Sequence, residues 1–228
     1  VTSQALKMHG GISVKEIKHE NHEGLRKGFE NLDRHIENLK SFGLKVLVAF
    51  NKYDFDTEAE IELLREHCLE KEVGFAVNNA FAEGGSGAVE LAGKVVEMTQ
   101  EKIHKPIHFT YKDTDSITRK IEKIATRIYG ARRVLFSEKA LAMIPKFEAM
   151  GAEAYPVCIA KTQYSFSDDE KAYGAVQDFD FHINDLVLNN GAEFIVAIAG
   201  KIMRMPGLPK EPQAKNIDLI DGQITGLS

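Results

Sequence analysis

Two successive strand-loop-helix units between Lys45 and Val96 restrict this chain to an open α/β architecture more tightly than any other stretch. KVLVAF (Lys45 to Phe50) is a short apolar run rich in β-branched residues that stops at NKYDFDT. There Thr57 and Glu60 form a capping box for the helix EAEIELLREHC. The second unit begins at Val73 with VGFAV, breaks at NNAFAEGGSGA and restarts as a helix at about Val89, with apolar positions Val89, Leu91, Ala92, Val95 and Val96. Both loops leave the carboxyl ends of buried parallel strands, which is where open α/β sheets put their ligands.

The flanking sequence continues this alternation. Before the first strand, VTSQALKMHGG closes at Gly10 and Gly11, and a polar loop runs to about Asn21. From His22 to Phe42 the apolar residues Leu25, Phe29, Leu32, Ile36 and Leu39 recur at three and four residues, predicting one amphipathic helix ended by Gly43. After Pro106, IHFTY (Ile107 to Tyr111) reads as a strand, and a helix starting at Asp113 or Asp115 carries the stripe Ile117, Ile121, Ile124, Ala125 and Ile128. RRVLF is a strand, SEKALAMIPKFEAMG a helix capped by Ser137 and interrupted or bent at Pro145, and YPVCIA another buried strand. FDFHINDLVLNNG and AEFIVAIAG read as strands turning at Asn190-Gly191, MPGLPKEP as a rigid extended segment, and IDLIDGQITGLS as a hairpin around Asp221-Gly222. The expected fold is therefore α/β: strand-helix alternation with a mostly parallel sheet over residues 1–105, followed by a smaller mixed α+β domain over 106–228.

Composition excludes several function classes. The 228 residues carry a formal net charge of -5 and a pI near 5.9, so neither a nucleic-acid backbone nor an anionic membrane is an expected partner. No apolar run approaches the roughly 18 residues of a membrane span, and no basic-then-apolar leader is present. Cys68 and Cys158 lack a CxxC spacing and are expected to be buried thiols in a reducing compartment. The histidines, among them His19, His22 and His35, show no HExxH-like metal spacing and are expected on a solvated face. The chain begins with Val, in the middle of an element, as a fragment would.

Three loops carry chemistry. Asn51-Lys52-Tyr53-Asp54 matches NKxD, the pattern by which GTP-binding proteins read guanine, but no GxxxxGK[ST] loop is present to hold phosphates, so GTP hydrolysis by this chain alone is not expected. AEGGSGA, with Gly84 and Gly85, could place an anion at a helix start, or could simply supply the glycine a tight turn needs. Tyr53 and Phe81 each sit near the exit of a strand, where neighbouring strands would bring them close enough to hold a flat ring, although core packing is the alternative for either aromatic alone. KTQYSFSDDE, starting at Lys161, gathers a cation, hydroxyls and carboxylates after a buried strand; it reads either as a ligand loop or as a turn in which Ser165, Ser167 and Asp168 satisfy local backbone donors.

The motifs ALKMHGG, ENLDRHIENLKSFG, NKYDFDTEAE, AEGGSGAVELA, KIEKIATRIYGA, PVCIAKTQYSFSDD, GAEFIVAIAGKIMRMPGLPK and NID with a terminal ITGL, in order over the whole chain, resemble formate-tetrahydrofolate ligase. The resemblance implies ATP-dependent joining of formate to tetrahydrofolate through formyl phosphate in one-carbon metabolism, with ATP (with magnesium), formate and tetrahydrofolate as substrates and no covalently bound cofactor. It implies a cytoplasmic homo-oligomer, typically a homotetramer in bacteria. Family members run to more than twice this length and keep their ATP phosphate loop upstream, so this chain corresponds to the carboxyl-terminal portion and is expected to be inactive alone. The resemblance assigns ring binding to Tyr53 and Phe81, where the family usually has Phe and Trp, and suggests that the loop of Lys161 lines the folate or interdomain cleft; Asn51, Asp54, Gly84 and Gly85, read from their own loops, complete the candidate substrate-binding set, with no catalytic residue and no metal ligand assigned. Departures are Gln4 for Arg, Asp54 for a frequent Pro, AEAYP for a YGNLP-like run and Glu193 for a common Gly. Two other readings stay open: a purine- or folate-binding module without catalysis, and a structural or oligomerisation fragment.

Overall fold

The computed structural model describes residues 1–100, 106–202, 210–220 and 223–226. Helix α1 (Ser3–His9) is capped by the Thr2 hydroxyl and packs against α2 (His22–Ser41), which is capped by Asn21. Gly28 of α2 permits that crossing, because a Cβ there would lie 1.9 Å from the Leu6 carbonyl oxygen. The apolar stripe of α2 buries Leu25, Phe29, Leu32 and Ile36, while Leu39 at its end stays exposed. Gly43, at φ 80°, follows it with the left-handed backbone that ends helices.

Strands β1 (Leu47–Asn51) and β2 (Gly74–Asn78) pair in parallel, Leu47 opposite Gly74 and Asn51 opposite Asn78, joined by α3 (Glu58–Glu70). Their core contains Val48, Phe50, Leu64, Cys68 and Phe75. Phe50 is fully buried, and burial of such a side chain stabilises the fold by about 2 kcal/mol. Along the other edge of β1, the Val1 amino group donates to Ala49 O (2.8 Å) and the Asn51 N–H donates to Val1 O (2.9 Å). After β2 come α4 (Ala80–Glu83), a 3-10 turn at Gly84–Ala88, and α5 (Val89–Gln100).

A four-stranded sheet follows, in the order β3 (Arg133–Phe136), β5 (Asp180–Asn189), β6 (Phe194–Ala199), β4 (Val157–Ala160). Its outer pairs are parallel and its central pair antiparallel. Helices α6 (Ile117–Arg127) and α7 (Glu138–Ala149) accompany it, and a second core gathers Ile117, Ile121, Phe147, Phe181, Ile183 and Ile195. The fold is thus α/β with a parallel pair and a mixed sheet. Strands β7 (Asp218–Ile220) and β8 (Gln223–Thr225) pair antiparallel as the hairpin pattern predicts; its turn, Asp221-Gly222, and most of MPGLPKEP lie outside the described residues.

Several local expectations are corrected. Residues 107–111 are irregular, with Ile107 and Phe109 exposed; no sheet edge receives them, and the Tyr111 hydroxyl instead accepts the Val157 N–H (3.0 Å) at the start of β4. The cap of α6 is Ser116, while Asp115 accepts from the Lys112 N–H and pairs with Lys123. Pro145 lies inside an uninterrupted α7. Cys158 is exposed, because β4 is an edge strand with one face outward, whereas Cys68 is buried. The capping box at α3 is half formed: the Thr57 hydroxyl accepts the Glu60 N–H (3.2 Å), but the Glu60 carboxylate turns inward to Lys7 and to the Asn21 N–H.

Candidate functional site

The parallel register ends with Asn51 beside Asn78, so the loops after β1 and β2 emerge together at one edge. Asn78 Nδ2 donates to Asn51 Oδ1 (2.9 Å), and the Lys52 N–H donates to Asn78 O (3.0 Å). Lys52 Nζ pairs with Glu58 at 2.7 Å and Asp54 is exposed in the turn. Of the NKxD side chains, Asn51 is thus bonded across to Asn78 and Lys52 is paired with Glu58 at the start of α3, while Asp54 faces solvent.

Tyr53 is fixed by its backbone. Its N–H donates to Asp56 Oδ2 (2.7 Å), its carbonyl accepts the Asp56 N–H (3.0 Å), and the buried Asp56 takes a further short hydrogen bond from the Ser3 hydroxyl. Its ring stacks on Phe55, with centroids 5.4 Å apart and planes 8° apart. Lys18 Nζ lies 5.7 Å from the Phe55 centroid. Phe55 is the member of this layer that reading the sequence missed; the Tyr-x-Phe spacing inside the turn is the signal that could have found it. Phe81, in the four-residue α4, is 84% exposed, and Tyr53 is 42% exposed. Both aromatics thus stand open at the same edge, past the Asn51–Asn78 pair.

The glycine-rich segment is a turn with unequal demands. Gly84 adopts φ 61°, ψ -141°, a conformation that side chains resist. Gly87 is needed for close approach, since a Cβ there would lie 2.4 Å from Asn79 O, whose own N–H donates to Gly87 O (2.9 Å). Gly85 meets nothing within 4 Å, so packing does not require glycine there. The turn leads through the 3-10 segment into α5 and does not itself start a long helix.

Lys161 lies elsewhere, just past the end of β4. Its ammonium donates to Thr162 O (2.8 Å) and, in a short hydrogen bond, to Ser165 O, and sits 5.1 Å from the Tyr129 ring centroid. Burial pushes its pKa down to about 8, against the opposing pull of Asp168. The buried Ser165 and Ser167 hydroxyls lie 3.0 Å apart; Ser165 donates to Ala172 O (2.6 Å), and Asp168 accepts from His182 Nδ1 (2.8 Å) and from its N–H. The Ser165 and Ser167 hydroxyls are therefore engaged within the loop, while Asp168 ties it to His182 of β5. Among the described residues no group of three or more His, Cys, Asp or Glu could hold a metal ion, and no helix is long and apolar enough to cross a membrane.

The family profile described as formate–tetrahydrofolate ligase matches residues 1–228. Curated relatives with that description include one from Bacteroides fragilis, 61% identical over 227 residues, and one from Bacteroides thetaiotaomicron, 59% identical over 227 residues; in each case all of this chain and 41% of the relative is covered. A relative from Lactobacillus acidophilus, formate–tetrahydrofolate ligase 2, is 48% identical over 227 residues, again with 41% of its length covered. The chain spans about two-fifths of the length of the curated relatives it matches.

Proposed function

Because the chain belongs to the formate–tetrahydrofolate ligase family, we propose that it is the part of an ATP-dependent ligase that holds the flat ring of a substrate, the pterin of tetrahydrofolate or the purine of ATP. The observation that carries this reading is the placement of Tyr53 and Phe81, two exposed aromatics on loops that leave adjacent parallel strands at the same edge. One face of Tyr53 already rests on Phe55, which fixes the ring's orientation and leaves its opposite face for a ligand. Asn51, Asp54, Gly84 and Gly85 border the same edge. The complete enzyme would take MgATP, formate and tetrahydrofolate and make formyltetrahydrofolate through formyl phosphate, as a cytoplasmic homo-oligomer.

No GxxxxGK[ST] sequence occurs in the 228 residues, so this chain lacks the phosphate-holding loop that such chemistry needs. On this reading the isolated chain binds the ring and does not turn over. The division into residues 1–105, with the ring loops, and 106–228, with the mixed sheet, belongs to the same proposal, and the two separate cores support it.

The chain has no tryptophan, so Phe81→Trp installs a single reporter at the proposed clamp. Titration with a folate analogue and with ATP should quench its emission, and Tyr53→Ala should weaken binding about fivefold to tenfold, the loss of one stacking contact of about 1 kcal/mol. Emission that ignores both ligands, or that responds equally without Tyr53, overturns the clamp and leaves a structural fragment.

A further inference from the structure

A cavity of about 270 Å³ lies between the α1–α2 pair and the loop after β4, lined by His9, Asn31, His35, Tyr129, Lys161 and Phe166 among others. It shares no lining residue with the Tyr53 and Phe81 loops. Its volume falls below the roughly 300–1,000 Å³ of sites for drug-sized ligands. Three of its lining side chains can carry positive charge, and no carboxylate lines it.

The donors that line it are only partly engaged. His9 Nδ1 accepts the Gly174 N–H (3.1 Å), so the neutral ring carries its proton on Nε2 and can donate there. Asn31 Nδ2 gives one N–H to Gly174 O (3.1 Å) and has a second. Lys161 has three N–H groups against the two carbonyl acceptors at its ammonium, Thr162 O and Ser165 O. The His35 ring packs on Phe166, with centroids 4.6 Å apart, which orients its nitrogens without occupying them.

We propose that this cavity binds a small oxyanion, a carboxylate or a phosphate group, through His9, His35 and Lys161. Cation-capable groups gathered in a partly dry cavity oppose one another's charge, and an anion among them removes that opposition. The directions of titration agree. Burial lowers both His9 and His35, and His9, Lys161 and the Val1 amino group lower His35 further. Asp168 acts the other way on Lys161, Tyr129 beneath the ammonium is itself raised by burial, and Tyr173 meets the His9 ring edge-on. Binding of the anion must therefore draw protons onto the site, and affinity must fall as pH rises. This inference rests on the cavity and not on the aromatic clamp, so it stands if the clamp fails.

The test is an NMR titration of the 228-residue chain, labelled at histidine, with inorganic phosphate and separately with acetate at matched ionic strength. His9 and His35 resonances should shift together and saturate, their pKa values rising by about half a unit or more, with binding several-fold tighter at pH 6 than at pH 8. A response to both probes, or to one of them, supports the site and assigns its source chemistry. His35→Gln should abolish the saturable shift at His9; because the His35 side chain packs one ring face on Phe166 and still reaches solvent beside the cavity, this variant keeps the test open if Lys161→Met fails to fold. No saturable shift, an equal drift of the exposed His19 and His22, or unchanged affinity in His35→Gln overturns the proposal.

Discussion

Lys7 Nζ lies 3.0 Å from Glu60 Oε1 with both side chains at 0% exposure, joining α1 to the first turn of α3 through the interior. The ammonium also donates to Glu60 Oε2 (3.1 Å) and His19 O (2.9 Å), and the carboxylate accepts the Asn21 N–H (2.8 Å), so both charges are hydrogen-bonded as well as paired. This contact ties the segment before α2 to the unit that presents Tyr53.

Removing one partner of that pair strands the other. Glu60→Gln or Lys7→Met should each lower unfolding free energy by about 3–5 kcal/mol, while Lys7→Met with Glu60→Leu should cost clearly less than the sum of the two. Chemical denaturation of the four proteins measures the coupling, and strict additivity would show that the pair does not act as a unit.

Glu193 adopts φ 54°, ψ 44° at the turn between β5 and β6, a left-handed conformation unfavourable to a residue with a Cβ. Glu193→Gly should raise stability by up to about 1 kcal/mol, the relief of that strain being offset in part by the flexibility glycine adds to the unfolded chain. A denaturation midpoint that moves down would show that the Glu193 side chain contributes more than its backbone costs.

The two thiols should separate cleanly. Cys158 is exposed, whereas Cys68 is buried and its pKa is pushed up to about 11 by burial and the neighbouring Asp33, which suppresses the reactive thiolate. Mass spectrometry after brief alkylation of the native chain should find one label, on Cys158, and a second only in denaturant. Rapid labelling of Cys68 under native conditions would contradict its burial.

Lys161 gives a pH signature with a definite sign. Its folded pKa, about 8, is below the ordinary lysine value of about 10.4, so between these pH values the unfolded chain holds a proton that the folded chain has released. The Lys161 contribution to stability should therefore rise over that window, measured as the difference between wild type and Lys161→Met. A difference that stays flat or falls would place the ammonium in a wetter or more acidic setting than the turn provides.

Much of the local organisation was legible without the structure. Asn21, Thr57 and Ser137 were readable as caps or helix boundaries because each sits beside the apolar period it starts, and the Lys45–Val96 pattern announced a parallel pair because its strands are apolar and separated by a helix. The KTQYSFSDDE loop was ambiguous for a physical reason: the same hydroxyls and carboxylates serve a ligand or the backbone, and the acceptors that Ser165 and Ser167 find and the His182 donors that Asp168 finds are brought in by folding.

The sequence by itself determined the strand-helix alternation, the helix starts and the family resemblance, all of which depend on neighbours along the chain. Tertiary structure alone decided that Glu60 faces Lys7 instead of completing its cap, that residues 107–111 find no ladder, that Cys158 faces outward, and that His9, His35 and Lys161 share a cavity. Each of these outcomes turns on partners far away in sequence. A side chain's charge state, burial and hydrogen bonds are set by which distant group packing brings within a few ångströms, and no local period encodes that choice.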